Sequence, residues 1–332
     1  MTDQQPPVPV GDHPGSPVSR ADSPTAGSAT DPTAGFGSNV GTPYTTPMTG
    51  QTERATYIGM PGERPPRYGF FTDTSVCIGC KACEVACKEW NLVPADAGPS
   101  GSGSRDLTDL DLLGMSYDNT GALGANTWRH VAFIESQHRT GPQKGDVRWL
   151  MSSDVCKHCT HAACLDVCPT GALIRTEFDT VYVQPDVCNG CGYCVPACPY
   201  GVIDVRPGDW RAWKCTLCYD RTKDGLTPAC AQACPTESIQ FGPLDELHAR
   251  ADRRLAQLHE DGVAEARLYG RDTDNGVGGD GAFFLLLDEP EVYGLPPDPV
   301  VTTRDLPQMW KRAALAAAGL ALAVAGSFLG RR

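Results

Sequence analysis

The chain has 332 residues, with 28 basic against 40 acidic side chains and a net charge of −12. That length can bury a real core in one or two domains, and the acidic balance argues against a nucleic-acid binder, whose docking face would be basic. The 16 cysteines could in principle form disulfides, but disulfide scaffolds are short chains far denser in cysteine. All of them fall between Cys77 and Cys234 in four groups of four, which is a ligand count.

In chain order, residues 1–67 form a tail whose first 66 positions include 36 Gly, Pro, Ser or Thr. Such a segment buries too little apolar surface to offset its ordering entropy and is expected to be disordered. It has neither the apolar run of a secretory signal nor a twin-arginine pair, so no export address is expected in it. A globular region is expected over 68–300, opening at Tyr68-Gly69-Phe70-Phe71. Residues 92–126, rich in Gly, Ser and Asp, read as an irregular surface insertion. Trp128–Ser136 and Val147–Met151 predict strands from their β-branched and aromatic content. Pro243–Glu260 predicts an amphipathic helix, with Pro243 in the first turn and Leu244, Leu247, Leu255 and Leu258 on one stripe. The short apolar run Ala282–Leu287 predicts a buried strand, and Pro-rich 295–299 closes the globular part.

A linker, 301–312, leads to Ala313–Gly330, 18 residues without a charge. At ~1.5 Å per residue this spans roughly 27 Å, just under the ~30 Å hydrocarbon layer. Trp310, Lys311 and Arg312 precede it, and Arg331 and Arg332 follow, as befits an interfacial anchor. A soluble Ala-rich helix would show a polar stripe; this one has only Ser327. One C-terminal transmembrane helix is therefore expected, with orientation left open by the balanced basic flanks.

Four motifs carry the chemistry: Cys77-x2-Cys80-x2-Cys83-x3-Cys87; Cys156-x2-Cys159-x4-Cys164-x3-Cys168-Pro; Cys188-x2-Cys191-x2-Cys194-x3-Cys198-Pro; and Cys215-x2-Cys218-x11-Cys230-x3-Cys234-Pro. C-x2-C-x2-C-x3-C-P is the bacterial ferredoxin run for [4Fe–4S] clusters, whose fourth Cys ligates the neighbouring cluster. Three thiolates on one loop wrap one cubane while the loop's N–H groups point inward at the sulfurs. Gly79, Gly190 and Gly192 permit the tight backbone path. Zinc is the competing reading, but four Cys within 11 residues of the third motif are too dense for paired knuckles around one ion. The endings Cys168-Pro-Thr-Gly-Ala-Leu-Ile, Cys198-Pro-Tyr-Gly-Val-Ile and Cys234-Pro-Thr-Glu-Ser-Ile suggest internal duplication, each a short helix turning into a strand.

The stretches CIGCKACEVACKEWN (77–91), KCTLCYDR (214–221), PACAQACPT (228–236) and AFFLLLDEPEVYGLP (282–296) resemble the iron–sulfur β subunits of membrane-bound formate dehydrogenases, over about residues 68–332. The resemblance implies an α+β fold of tandem ferredoxin-like dicluster domains, loop-rich and with a pseudo-twofold repeat, plus the membrane helix. In that family the first motif pairs with the fourth and the second with the third. Carried over, one cluster takes Cys77, Cys80, Cys83 and Cys234, and its neighbour takes Cys215, Cys218, Cys230 and Cys87. The other pair takes Cys156, Cys159, Cys164 with Cys198, and Cys188, Cys191, Cys194 with Cys168. Nitrate reductase β subunits, by resemblance, replace one ligand with Trp; this chain has Cys at all sixteen positions.

The resemblance implies a subunit with no catalytic site of its own, holding four [4Fe–4S] clusters. It would pass electrons from formate oxidation at a molybdenum- or tungsten-pterin catalytic partner toward a membrane cytochrome b or other quinone-linked acceptor. The cluster domain is expected on the external face, exported with a partner that carries the signal. Rival readings are the same wiring serving a [NiFe] hydrogenase or a polysulfide or sulfoxide reductase, and, from another class, a zinc-bound structural protein. Lys81, Lys88, Lys157 and Lys214 lie beside ligands. Each is expected to be a solvated surface Lys except Lys214, which is expected to tune a cluster. His158 and His161 are expected only to pack or hydrogen-bond around the second motif.

Overall fold

A computed structural model describes residues 65–94, 122–137 and 145–329. The expected disordered tail lies outside the described residues but for its last three positions, as does most of the 92–126 insertion. In chain order the elements are strand β1 (Tyr68–Asp73), helix α1 (Ala82–Trp90), strands β2 (Arg129–Gln137) and β3 (Val147–Val155), and helix α2 (Ala163–Asp166). Strands β4 (Leu173–Arg175) and β5 (Val181–Val183), helix α3 (Cys194–Ala197), strands β6 (Asp204–Val205) and β7 (Ala212–Trp213), and helices α4 (Tyr219–Lys223) and α5 (Ala229–Gln232) follow. The chain continues through strand β8 (Ile239–Pro243), helix α6 (Leu244–Glu260), strands β9 (Arg267–Tyr269) and β10 (Ala282–Leu286), and helix α7 (Leu306–Leu329).

A four-stranded sheet in the order β8-β1-β10-β9 forms the scaffold, with β1 parallel to β10 and antiparallel to β8. Strand β10 is buried along its whole length, which is why it reads as an unbroken apolar run and not as an alternation. Phe71, Phe283 and Leu285 pack on one face against Leu244, Leu247, Ala251 and Leu258 of α6. Phe70 and Ala282 belong to a different cluster that contains the thiols. The α6 stripe is the expected one, except that Pro243 ends β8 and caps the helix from outside its first turn.

Two features tie the cysteine loops to this scaffold. Strand β1 leads into the first motif, and the fourth motif leads out into β8, its antiparallel neighbour; helices α1 and α5 accordingly pack together. The second-motif loop is stitched to the segment before β10: Thr160 N–H donates to Gly279 O (2.9 Å), His161 N–H to Val277 O (2.8 Å) and Ala282 N–H to Lys157 O (2.9 Å). That segment passes so close to β1 that a Cβ on Gly69 would lie 2.1 Å from Gly281 O. The expected strands at 128–136 and 147–151 appear as the β2–β3 ribbon, paired from Arg129↔Val155 to Gln137↔Val147.

Helix α7 begins earlier than the uncharged stretch and has 24 residues, about 36 Å at ~1.5 Å each, enough to cross the hydrocarbon layer. Its span Gln308–Leu329 is long and apolar enough to cross a membrane and is not buried by any other of the described residues. Its root is fixed: Val301 packs on Ala163 and Val277, Thr303 Oγ1 donates to Asp166 Oδ2 (2.6 Å), and Arg304 Nη1 donates to Asn275 O (2.8 Å).

Phe283 is fully buried and stacks on Phe71 with ring centroids 5.2 Å apart. Phe283→Ala is expected to cost about 3–5 kcal/mol, read as a lower apparent melting temperature of the purified protein.

Candidate metal centres

The backbone of the four loops repeats one device. The residue before the second Cys of each motif, Gly79, His158, Gly190 or Leu217, has φ between 46° and 73°, in the left-handed region. The alternation of hand turns successive N–H groups to one side, forming an anion-binding nest. The N–H of Leu217 donates to Cys215 Sγ (3.3 Å) and that of Ala212 to Cys188 Sγ (3.4 Å). Glycine marked this conformation in the first and third motifs. His158 and Leu217 hide it in the other two, where the fold overrides the steric penalty. After each Cys-Pro ending the same turn recurs: Gly171, Gly201 and Glu237, all at positive φ, donate N–H to the carbonyl of Cys168, Cys198 and Cys234.

All sixteen cysteines are free thiols. Burial pushes Cys87 well up, and the neighbouring thiols of Cys230, Cys215 and Cys218 push it further, so a first-motif cysteine sits among the fourth-motif thiols. Cys159 is likewise raised by burial, then Asp280, then Cys156, Cys164 and Cys198. Cys194 is pushed up to about 11 by burial and by Cys188, Cys168 and Cys191. Cys77 is raised by burial, and Cys234 and Cys80 flank it. Cys83, pushed up to about 11 chiefly by burial, borders Cys230. Cys215 is pushed up to about 12 by burial and then by Cys156 of the second motif, and Cys194 of the third motif is among the thiols that raise Cys164. The groups therefore follow one another from Cys77 through Cys230 and Cys156 to Cys188. Cys80 at one end and Cys191 at the other are exposed.

These groups suit iron–sulfur cubes. A cavity among Cys156, Cys159, Cys164 and Cys198 has apolar walls of Ala162, Ala163, Val181, Val202 and Ile203. Four thiolates in such a dry space would repel one another unless a polynuclear cationic core lay between them. A tetrahedral zinc ion with ~2.3 Å bonds would draw its sulfurs to within roughly 3.8 Å of one another. Among the described residues no three His, Cys, Asp or Glu side chains form such a single-ion site.

Buried cations surround the thiols. Lys214 is 2% exposed and donates to Val181 O and to Cys215 O (2.9 Å). Burial pulls its pKa down, but Cys156, Cys164 and Cys215 outweigh it and the net shift is upward. Lys214, expected to tune a cluster, is thus a buried cation beside thiols of the second and fourth motifs. Lys157 corrects its expectation: it is not solvated but wholly buried, paired with Asp154, bonded to Val155 O (2.8 Å), and 5.0 Å from the Phe284 ring centre. A Lys inside a cysteine loop is taken into the interior with the loop. Lys81, half-buried, pairs with Glu84 (3.5 Å), and Lys88 is also half-buried.

His158 is 1% exposed and accepts the Val181 N–H on Nδ1 (3.1 Å), while its Nε2 has no hydrogen-bond partner among the described residues. Burial first, then Lys214 and Arg67, hold its pKa well below the ordinary value, so it is a neutral ring lining the second-motif cavity. His161 instead rests on Gly278, away from that cavity.

Several residues escaped the sequence reading. Arg129 is fully buried among Cys230, Cys83, Cys215 and Cys87. Asp280, pushed up to about 7 by burial, accepts the Tyr200 hydroxyl (2.9 Å) beside Cys159. Asn91 Nδ2 lies 3.7 Å from Cys87 Sγ and 3.9 Å from Cys218 Sγ. The preceding Trp90 donates to Asp220 (2.7 Å) under the Arg221 guanidinium, so the Trp90-Asn91 pair clasps the Cys218–Arg221 segment. Only proximity in space reveals these roles; a lone Arg or Asn carries no local signal.

The 4Fe-4S dicluster domain matches this chain twice, over residues 76–172 and 147–244. The nitrate-inducible formate dehydrogenase iron–sulfur subunit of Escherichia coli (strain K12) is 39% identical over 260 residues, 76% of this chain and 81% of that protein. A formate dehydrogenase iron–sulfur subunit of Haemophilus influenzae is 39% identical over 267 residues, covering 77% and 78%. The B subunit of the anaerobic dimethyl sulfoxide reductase of E. coli is 36% identical over 184 residues, covering 55% and 77%.

Gly190 has φ +73°, and a Cβ there would lie 2.0 Å from Trp210 O. Gly190→Ala should open the third-motif loop and release about a quarter of the iron, one cluster in four, measured as iron and acid-labile sulfide per chain.

Proposed function

Because this chain belongs to the family of formate dehydrogenase iron–sulfur subunits, we propose that it wires a molybdenum- or tungsten-pterin catalytic subunit oxidising formate to a membrane cytochrome b or other quinone-linked acceptor. It is an electron-transfer subunit carrying four [4Fe–4S] clusters. When bound, such clusters take up and release electrons singly, with potentials set by hydrogen bonds to the sulfurs, charge and exposure. The chain supplies the ligands, the nests that cradle them, buried Lys214 and Arg129, and the dry walls; bond chemistry belongs to the partner.

The ligand sets we propose are Cys77, Cys80, Cys83 with Cys234; Cys215, Cys218, Cys230 with Cys87; Cys156, Cys159, Cys164 with Cys198; and Cys188, Cys191, Cys194 with Cys168. The reading is supported above all by one side chain, Asn91, whose Nδ2 lies 3.7 Å from Cys87 Sγ and 3.9 Å from Cys218 Sγ, with Cys230, Cys215 and Cys218 all acting on the Cys87 thiol. Exchange of fourth ligands between motifs fits an α+β fold of tandem ferredoxin-like units related by a pseudo-twofold repeat, over about residues 68–300. Residues 301–312 connect it to the anchor.

Both exposed ends of the row carry exposed apolar side chains, Ile78 beside Cys80 and Val187, Tyr193 and Trp210 near Cys191. We assign the docked catalytic subunit to the Cys80 end, where the neighbouring Ile78 is exposed. The root of α7 is seated on α2, the helix of the second motif, whose thiols continue to the exposed Cys191 end. On this reading delivery runs from the Cys80 end toward the second and third motifs, the second being where α7 is rooted. The cluster-bearing part is assigned to the external face, as in the family. The dimethyl sulfoxide reductase relative favours a second reading, the same wiring run for a reductase. The formate reading takes precedence because those relatives match 76–77% of the chain against 55%.

In anaerobically purified complex, Cys87→Ser should perturb the spectroscopic signal that is also perturbed in Cys218→Ser, and leave that of Cys80→Ser intact. Matching of Cys87→Ser with Cys80→Ser would overturn the ligand exchange. Ending the chain after Arg304 should move the protein from the membrane fraction to the soluble fraction with its iron content unchanged.

A further inference from the structure

Arg129 is 1% exposed and lies over the Phe70 ring, 4.9 Å from its centre. It starts the β2–β3 ribbon, opposite Val155, while Val131 pairs with Ser153. These four positions share one face of the ribbon by strand alternation, and all are buried against the thiol-bearing core. The guanidinium has one clear anchor: Nη1 donates to Ser153 O and to Ser153 Oγ, both at 3.2 Å. Its Nε and Nη2 are buried without a hydrogen-bond partner among the described residues. Ser153 Oγ lies 3.2 Å from Cys83 Sγ. A sulfur bonded to iron has no proton, and the serine oxygen already accepts from Arg129. The hydroxyl hydrogen therefore has Cys83 Sγ as its acceptor.

We propose that Arg129 and Ser153 form a tuning pair: Arg129 orients the Ser153 hydroxyl onto the Cys83 sulfur, and its buried charge stabilises the reduced state of the two clusters that meet there. The inference rests on the ligand sets proposed above, with Cys83 in one cluster and Cys87, Cys215 and Cys230 in the next. No bond is made or broken. The electron comes from the adjacent reduced donor and leaves to the next acceptor in the row, and the pair acts only on the extra negative charge held in between. Hydrogen bonds to ligand sulfurs and nearby charge are the protein's levers on such potentials. Ser153 and Arg129 are positioning residues, since neither ligates iron.

The test is a redox titration, followed by electron paramagnetic resonance, of the intact complex carrying Ser153→Ala or Arg129→Met. Ser153→Ala should lower the potential of one cluster, changing its oxidised-to-reduced ratio at fixed potential by about tenfold (59 mV for a one-electron couple). Arg129→Met should lower that cluster and one more. Iron and sulfide should stay at the unmodified level, roughly sixteen iron per chain for four cubanes. Unchanged potentials in Ser153→Ala, or equal shifts of all four signals, overturn the pair. Should Ser153→Ala lose iron, Arg129→Lys keeps the charge without the fork: one displaced signal supports the pair and none overturns it. A shortfall of iron in the unmodified complex would sink the cofactor reading instead, so the two failures are distinguishable.

Discussion

Desolvated sulfur is the constraint on which the molecule turns. A thiolate in a dry interior is unstable alone, and four together are worse, as the upward-pushed Cys87, Cys159, Cys164 and Cys215 testify. The chain answers with inward N–H groups from left-handed turns, with buried Lys214, Lys157 and Arg129, and with sites fit for iron. The acidic surface and the cationic interior are therefore two faces of one arrangement. The positive side chains that matter electrostatically lie where water cannot screen them.

Regular structure is correspondingly sparse and is spent on positioning. The β8-β1-β10-β9 sheet packs on α6, on the thiols and, through Phe284, Leu286 and Tyr269, on Leu150, Tyr293 and Leu295, and it brings the first motif against the fourth and pins the second-motif loop. Helix α1 extends to nine residues, and its Trp90-Asn91 end reaches the Cys218–Arg221 segment. Two stretches that mark the family in sequence are thus one contact in space.

Much of this was legible in the amino-acid order because cysteine spacing is a local code. Loops that wrap a cube need fixed intervals, and those intervals survive as C-x2-C and C-x3-C-P. Helix α6 and strand β10 were equally plain, since periodicity and length record which faces are buried. The interior cations were not. Lys157 looks like any surface lysine until the loop that carries it is laced to residues 277–282. Arg129 begins a strand whose burial depends on a ribbon partner and on thiols from two distant motifs. Left-handed His158 and Leu217 were hidden for the same reason: long-range packing, not residue type, holds them there.

The adjacency of α1 and α5 has a consequence for biosynthesis. The earliest cysteines to leave the ribosome meet their companions only after β8 has been made and has paired with β1. With the ligand sets proposed above, a cofactor at that end could be completed only once the chain had been made as far as Cys234, so the first-motif thiols would wait unligated while more than 140 further residues were added.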